Sequence, residues 1–207
     1  EEAFITSSYA QSRFTSIANV LASEGYRTSF FHGGRNGTMG FDSFAKSAGY
    51  ERYVGMNEYP DQKDYDGSWG IWDRPFLQFF AKELSKEPQP FFSTVFTLSS
   101  HHPYHLLPED EKRFGGGKLP LEASLRYTDD ALRRFFSTAR KEAWFGNTLF
   151  VLTADHTADI DRTGQHYSEA TDYHVPLLYF MSTAMAPTAN DRGTQHIDIL
   201  PTVLDLT

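Results

Sequence analysis

Cysteine is absent from the 207 residues, and with it every chemistry that needs a thiolate: Cys nucleophiles, Cys-ligated zinc and iron–sulfur clusters. That absence does not choose a compartment, because a chain without thiols suits either side of a membrane. Basic residues are also scarce. Lys and Arg number 19 against 27 Asp and Glu, a formal net charge of −8, so no stripe of cations exists to displace counterions from a nucleic acid. Apolar runs fall far short of the ~20 residues a membrane span needs, and Glu1-Glu2-Ala3-Phe4-Ile5 offers neither the basic nor the apolar region of a signal peptide. What is abundant is aromatic. The 18 Phe and 11 Tyr supply enough bulky area for a core without disulfides or a structural zinc, and the length fits one large α/β domain or two small ones.

Periodicity divides the chain into alternating elements. Arg13 to Glu24 places Phe14, Ile17, Ala18 and Leu21 on one helical face, closed by Gly25, and the β-branched, aromatic Arg27 to Phe31 follows as a strand that stops at His32-Gly33-Gly34. Phe41 to Ala48 reads as a short helix, Tyr53 to Gly67 as loop, Trp72 to Lys86 as a helix, and Phe91 to Leu98 as a strand after Pro88 and Pro90. His101 to Leu119 is an irregular excursion. Leu121 to Lys141 is helical with Leu125, Leu132, Phe135 and Phe136 inward, Thr148 to Thr153 and Val175 to Phe180 are strands, and an apolar segment runs from Ile197 to Leu206. Connections too long for hairpins predict an α/β fold with a mainly parallel sheet and helices on both faces. No repeat or linker breaks the chain, so 1–207 is expected to be a single domain.

In an open parallel sheet, ligands bind beyond the carboxyl ends of the strands. Three predicted strands finish in histidine: Phe30-Phe31 leads to His32, Thr97 to Ser100 leads to His101-His102, and Val151 to Ala154 leads to Asp155-His156. Four of the 8 histidines thus gather at strand exits. Asp155 and His156 can reach one ion only if the backbone turns there, since neighbours on a strand point to opposite faces. A carboxylate with one imidazole suits Zn2+, Mn2+ or a similar ion and is too nitrogen-rich for a dedicated calcium cage, and further ligands are required. His166, ten residues beyond His156, is close enough in sequence to return to the site. His174 would lie at the opposite end if its strand is parallel, and His196 reads as part of a helix start; both are assigned packing roles. Asp129 and Asp130 are explained by i,i+4 pairing with Arg133 and Arg134 on a solvated face. Trp69 and Trp72 flank a loop-to-helix junction.

At these residues the sequence resembles the extracellular catalytic domain of the lipoteichoic acid synthase family, within the sulfatase and alkaline phosphatase superfamily. The segments that carry it are Glu24 to Gly33, Phe96 to Tyr104, Tyr127-Thr128-Asp129, Thr148 to His156, Val175-Pro176-Leu177 and His196 to Thr202, in the family's order and over nearly the whole chain. The resemblance implies an alkaline phosphatase-like α/β fold and one divalent metal, manganese first among manganese, zinc, magnesium and calcium, held in part by Asp155 and His156. It implies a covalent phospho-threonine intermediate, with His101 at the phosphoryl group or leaving oxygen and His166 near the site as catalytic residues. His32, with His101, would hold the head group. The expected substrates are phosphate or sulfate esters, an anionic lipid head group or a glycan, at the cell envelope.

Two departures shape the expectation. In that family the nucleophilic Thr and a Glu ligand precede the segment matching Phe31-His32-Gly33, and neither Thr6 nor Thr15 sits in a strand-to-helix turn. The chain is therefore read as the C-terminal portion of an extracytoplasmic catalytic domain, incomplete at its N-terminus. It would be inactive alone, completed by the missing part of the same domain, and its parent anchored by membrane helices. Where lipoteichoic acid synthases read glycerol phosphate with a Trp and an Arg, this chain has Met39 and Phe41, which leaves Arg35 to bind the substrate from the same loop. A non-catalytic, substrate- or glycan-binding member is the alternative.

Overall fold

The computed structural model describes residues 4, 7–10, 12–158, 171, 173–183 and 188–207. Two compact units make it up, Glu1–Ala139 and Arg140–Thr207.

The first unit is built on three parallel strands in the order β2-β1-β3, with β1 Arg27–His32, β2 Arg52–Val54 and β3 Phe91–Phe96. Alternate side chains of β1 point to opposite faces. Phe30 meets Phe41 of helix α2 (Phe41–Ser47) at 6.2 Å between ring centroids, while Phe31 meets Phe80 of helix α3 (Asp73–Leu84) at 4.8 Å. Helices therefore cover both faces of a parallel sheet, and the expected fold class holds. Helix α1 (Ile17–Ser23) begins later than its apolar period suggests because Ser16 caps it: Ser16 Oγ accepts from Asn19 N and Asn19 Oδ1 accepts from Ser16 N, each at 3.1 Å.

Two elements differ from the sequence expectation. β2 overlaps the start of the stretch read as loop: its Tyr53 and Val54 are good strand formers, and the three residues pair in parallel with Ser29 to Phe31. Helix α4 (Pro108–Phe114) interrupts the excursion after His101, with Pro at its start, an acidic first turn and a basic last one. In helix α5 (Pro120–Ala139) the buried stripe is Ser124, Tyr127, Ala131 and Phe135. Leu125, expected inward, is 49% exposed, one position off that stripe. Asp130 is not on a solvated face. It is 5% exposed and accepts from Arg133 at 2.5 Å, Arg134 at 2.7 Å and Arg113 at 3.2 Å, with Arg74 3.5 Å away. Burial works against its charge, but the arginines prevail and hold its pKa down at about 2.

The second unit contains β4 (Phe150–Thr153) and β5 (Leu177–Phe180), which pair antiparallel with Thr153 opposite Leu177. Phe145, Phe150 and Phe180 pack together with centroids 5.3–6.2 Å apart, and helix α6 (Ile199–Leu206) buries Val203.

Candidate functional site

Parallel pairing puts the exits of β1 and β3 at one edge, with His32 opposite Phe96. His32 itself is only 2% exposed. Its ring lies 4.4 Å from that of Phe41 and its Nδ1 is 3.1 Å from the Tyr53 hydroxyl. Burial lowers its pKa from 6.5 to about 4, so the ring is neutral near pH 7. The structure thus places His32 beneath the turn, as part of its floor. Two glycines at this turn are sterically required: a Cβ on Gly34 would sit 2.6 Å from His32 Cε1, and one on Gly70 would run into the Gly33 backbone. The close approach is used, for Ile71 N donates to Gly33 O at 3.0 Å and Met56 N to Gly34 O at 2.9 Å. Arg35 is exposed, its guanidinium 5.5 Å from the Tyr65 ring centroid.

His101 stands at the same edge, five residues past the end of β3, and is exposed. Its Nδ1 is 2.9 Å from the His102 carbonyl, which can only accept, so Nδ1 carries the proton and Nε2 faces other chemistry. The Trp69 ring packs 4.2 Å from the imidazole, and its Nε1 donates to the same carbonyl at 2.6 Å. Trp69 is fixed in turn by Asp66, whose Oδ1 accepts from the amides of Ser68, Trp69 and Gly70 at 2.7–3.1 Å. The base of the His101 loop hangs on a residue that composition and motif did not reveal, Asp73, 2% exposed. Its carboxylate accepts from Leu98 N at 2.8 Å, Ser99 N at 3.2 Å and Thr128 Oγ1 at 2.8 Å, and its own amide donates to Ser99 Oγ at 2.9 Å. Burial pushes the Asp73 pKa up, against these hydrogen bonds. Its signal in the sequence was an acidic residue in the first turn of an apolar helix, a common cap and therefore unspecific.

In the second unit the chain bends directly after β4, at Asp155 and His156, both exposed. His156 Nε2 comes 3.5 Å from Asp155 Oδ2 while its Nδ1 donates to the Thr157 carbonyl at 2.7 Å. That fixes the tautomer: with the proton on Nδ1, Nε2 presents its lone pair beside a carboxylate oxygen, the arrangement a metal-bound imidazole requires. The donor set fits one divalent ion of the zinc or manganese kind, although no cluster of three or more such ligands occurs among the described residues. His174 precedes a strand that runs antiparallel to β4. Its position is therefore at the Asp155 end of the pair, not the opposite end. His166 lies outside the described residues. His196 opens the turn His196–Asp198 ahead of α6 and reaches back to the Ala154 carbonyl at 2.8 Å.

The parallel sheet clothed by helices has the fold of part of a solved alkaline phosphatase superfamily structure. A protein of that superfamily from Vibrio parahaemolyticus superposes with a TM-score of 0.86 at 31% identity, over 100% of this chain and 50% of its own. The lipoteichoic acid synthase LtaP from Listeria monocytogenes does so at 0.76 and 20%, over 99% of this chain and 55% of its own. The sulfatase family model matches residues 2–207, and the chain belongs to the sulfatase family. Among its relatives, lipoteichoic acid synthase 1 of Bacillus subtilis is 24% identical over 99% of this chain and 34% of its own length. Phosphoglycerol transferase I of Citrobacter koseri is 25% identical over 89% of this chain and 26% of its own. The chain thus spans about a third, or less, of the curated relatives it matches.

Proposed function

We propose that the chain is part of a metal-dependent phosphotransferase or hydrolase of the phosphoglycerol transferase type, acting on phosphate or sulfate esters at the cell envelope. The reading rests above all on the Asp155–His156 pair, a carboxylate and a lone-pair-bearing imidazole nitrogen 3.5 Å apart at a strand exit. Family membership over residues 2–207 supports taking both units as portions of one catalytic domain. The periplasmic C-terminal domain of EcEptC from Escherichia coli, with a TM-score of 0.60 over 80% of this chain, and the lipoteichoic acid synthases support an extracytoplasmic location in a membrane-anchored parent. No helix among the described residues is long and apolar enough to cross a membrane.

Asp155 and His156 would hold the ion, with the remaining ligands and a Thr nucleophile supplied by residues other than those described. When bound, such an ion withdraws electron density from a phosphoryl or sulfuryl oxygen and lowers the pKa of a coordinated hydroxyl. The side chains on view supply the rest. His101, its Nδ1–H committed to the His102 carbonyl, would act with Nε2 protonated as well, giving that second proton to the leaving oxygen as the ester P–O or S–O bond breaks and the nucleophile's oxygen bonds to phosphorus or sulfur. Trp69 holds that ring in place. Arg35 offers a guanidinium to the anionic ester and His166 is proposed to assist near the leaving group. His32 contributes a neutral floor. With a chain net charge of −8, an anionic substrate needs these local positive groups to offset the surrounding field.

The full-length protein, loaded with Mn2+, should release diacylglycerol from phosphatidylglycerol or cleave p-nitrophenyl phosphate or sulfate. Asp155→Ala should abolish turnover and Mn2+ content together. Unchanged activity and metal content in that variant overturns the proposal, while substrate binding without turnover in the unsubstituted protein favours a binding module.

A further inference from the structure

The bend that carries Asp155 and His156 begins where regular pairing ends. The β4–β5 register stops at Thr153 opposite Leu177, so the ladder does not hold the peptide between Ala154 and Asp155. A histidine 42 residues away does. His196 Nε2 lies 2.8 Å from the Ala154 carbonyl oxygen and 3.5 Å from Thr153 Oγ1. A carbonyl oxygen can only accept, so Nε2 bears the proton and donates. The carbonyl also receives the Thr153 hydroxyl at 3.3 Å, which gives both of its lone pairs partners.

The far end of this tether is itself rigid. Gln195 N donates to Asp198 Oδ2 at 2.8 Å, Asp198 N to Gln195 O at 2.9 Å, and Thr202 Oγ1 to Asp198 O at 2.6 Å. His196 therefore projects from a turn locked onto the start of α6, and it grips the residue immediately before the carboxylate. His156 is held separately, by its own Nδ1 on the Thr157 carbonyl.

We propose that His196 is a positioning residue for the Asp155–His156 pair: by donating from Nε2 to the Ala154 carbonyl it fixes the peptide that aims the Asp155 carboxylate at the ion. This rests on the metal-ligand reading of that pair. Groups that orient ligands from behind are typically worth about 10–100-fold in metal affinity, whereas an exposed side chain that only packed would leave affinity untouched.

The test is Mn2+ titration of the metal-free full-length protein, with free Mn2+ counted by its electron paramagnetic resonance signal, alongside thermal melts without metal. Asp155→Ala should lose binding. His196→Phe keeps a ring but no donor, and should weaken binding about 10–100-fold with a metal-free Tm close to that of the parent. His196→Gln can still donate from its amide and should restore affinity to within about threefold of the parent, because one hydrogen bond is regained. If His196→Phe binds as tightly as the parent while Asp155→Ala does not bind, the positioning role is wrong and the ligand reading stands. If Asp155→Ala also binds normally, or the parent binds no Mn2+, the ligand reading itself falls. A failure of Gln to rescue a weakened Phe variant that melts normally likewise overturns the hydrogen-bond mechanism.

Discussion

Replacing Asp73 with Ala should be among the most damaging single changes in the first unit, although the residue lies 25 positions before the loop it holds. The carboxylate is 2% exposed. Its loss strands the buried amides of Leu98 and Ser99, held at 2.8 and 3.2 Å, and removes the acceptor of the Thr128 hydroxyl. An orphaned buried donor costs about 1–3 kcal/mol; Thr128 is only partly buried and can turn to water, so the two amides set the total at about 2–6 kcal/mol. For a domain of this size each kcal/mol lowers Tm by about 2–4 °C, which places the expected drop between about 4 and 24 °C. Asp73→Asn is the control. Both amides reach Oδ1, which Asn retains, and its NH2 can donate to the Thr128 oxygen; the Ser99 amide loses only its second contact, to Oδ2 at 3.2 Å, so the cost should be about 1–2 kcal/mol. Thermal melts followed by circular dichroism on the full chain measure both. A drop below about 2 °C for Ala, or an Asn variant as unstable as Ala, would refute the view that buried amides at the base of the His101 loop are held by this carboxylate.

Acid stability should carry the imprint of His32. Its folded pKa of about 4 lies below the ordinary 6.5, so its neutral form contributes stability that is fully present above 6.5 and is lost as pH falls towards 4, up to about 3 kcal/mol. Urea denaturation of His32→Gln across pH 7 to 4 should show a shallower decline than the parent, and parallel declines would contradict the assignment. Gly70→Ala should lower stability by about 1–3 kcal/mol through overpacking, because the new Cβ meets the Gly33 backbone; Gly25→Ala has open space but a φ of +88° and serves as a conformational comparison in the same melts. On the proposed activity, His101→Gln in the full-length protein should reduce kcat about 10²–10⁴-fold with little change in Mn2+ content. A pH–rate profile that keeps its alkaline limb in that variant would move the proton-donor role elsewhere.

The family and the fold class were legible because local pattern carries them. The β1 strand and its His32-Gly33-Gly34 stop are contiguous, the α3 and α5 helices show their apolar periods, and Thr148 to His156 reads as a strand ending in ligand-type residues. The α4 helix was legible in principle, from Pro108 and its acidic-to-basic charge gradient, and was hidden by the proline-rich excursion around it. Asp130 looked like half of an ordinary helical ion pair, since nothing in its own helix announces Arg74 and Arg113. Leu125 looked buried because a leucine at helical spacing usually is, yet the stripe through Ser124 and Tyr127 turned it outward.

By itself the sequence determined which chemistry is possible: no thiolate, an adjacent carboxylate and imidazole at Asp155 and His156, histidines set at the ends of strands, and glycines where the chain must turn. Those are properties of residue types and of neighbours a few positions apart. Tertiary structure alone decided which histidine is enclosed and neutral and which stands exposed, because exposure depends on what packs over a side chain, here Phe41 and Tyr53 over His32. It also decided the direction of β5, hence the end at which His174 lies, and gave His101, Ser99 and Ala154 their partners in Trp69, Asp73 and His196, contacts that span 26 to 42 residues of chain in the hydrogen bonds of the latter two. Hydrogen bonds and burial at such separations exist only once the chain has closed on itself.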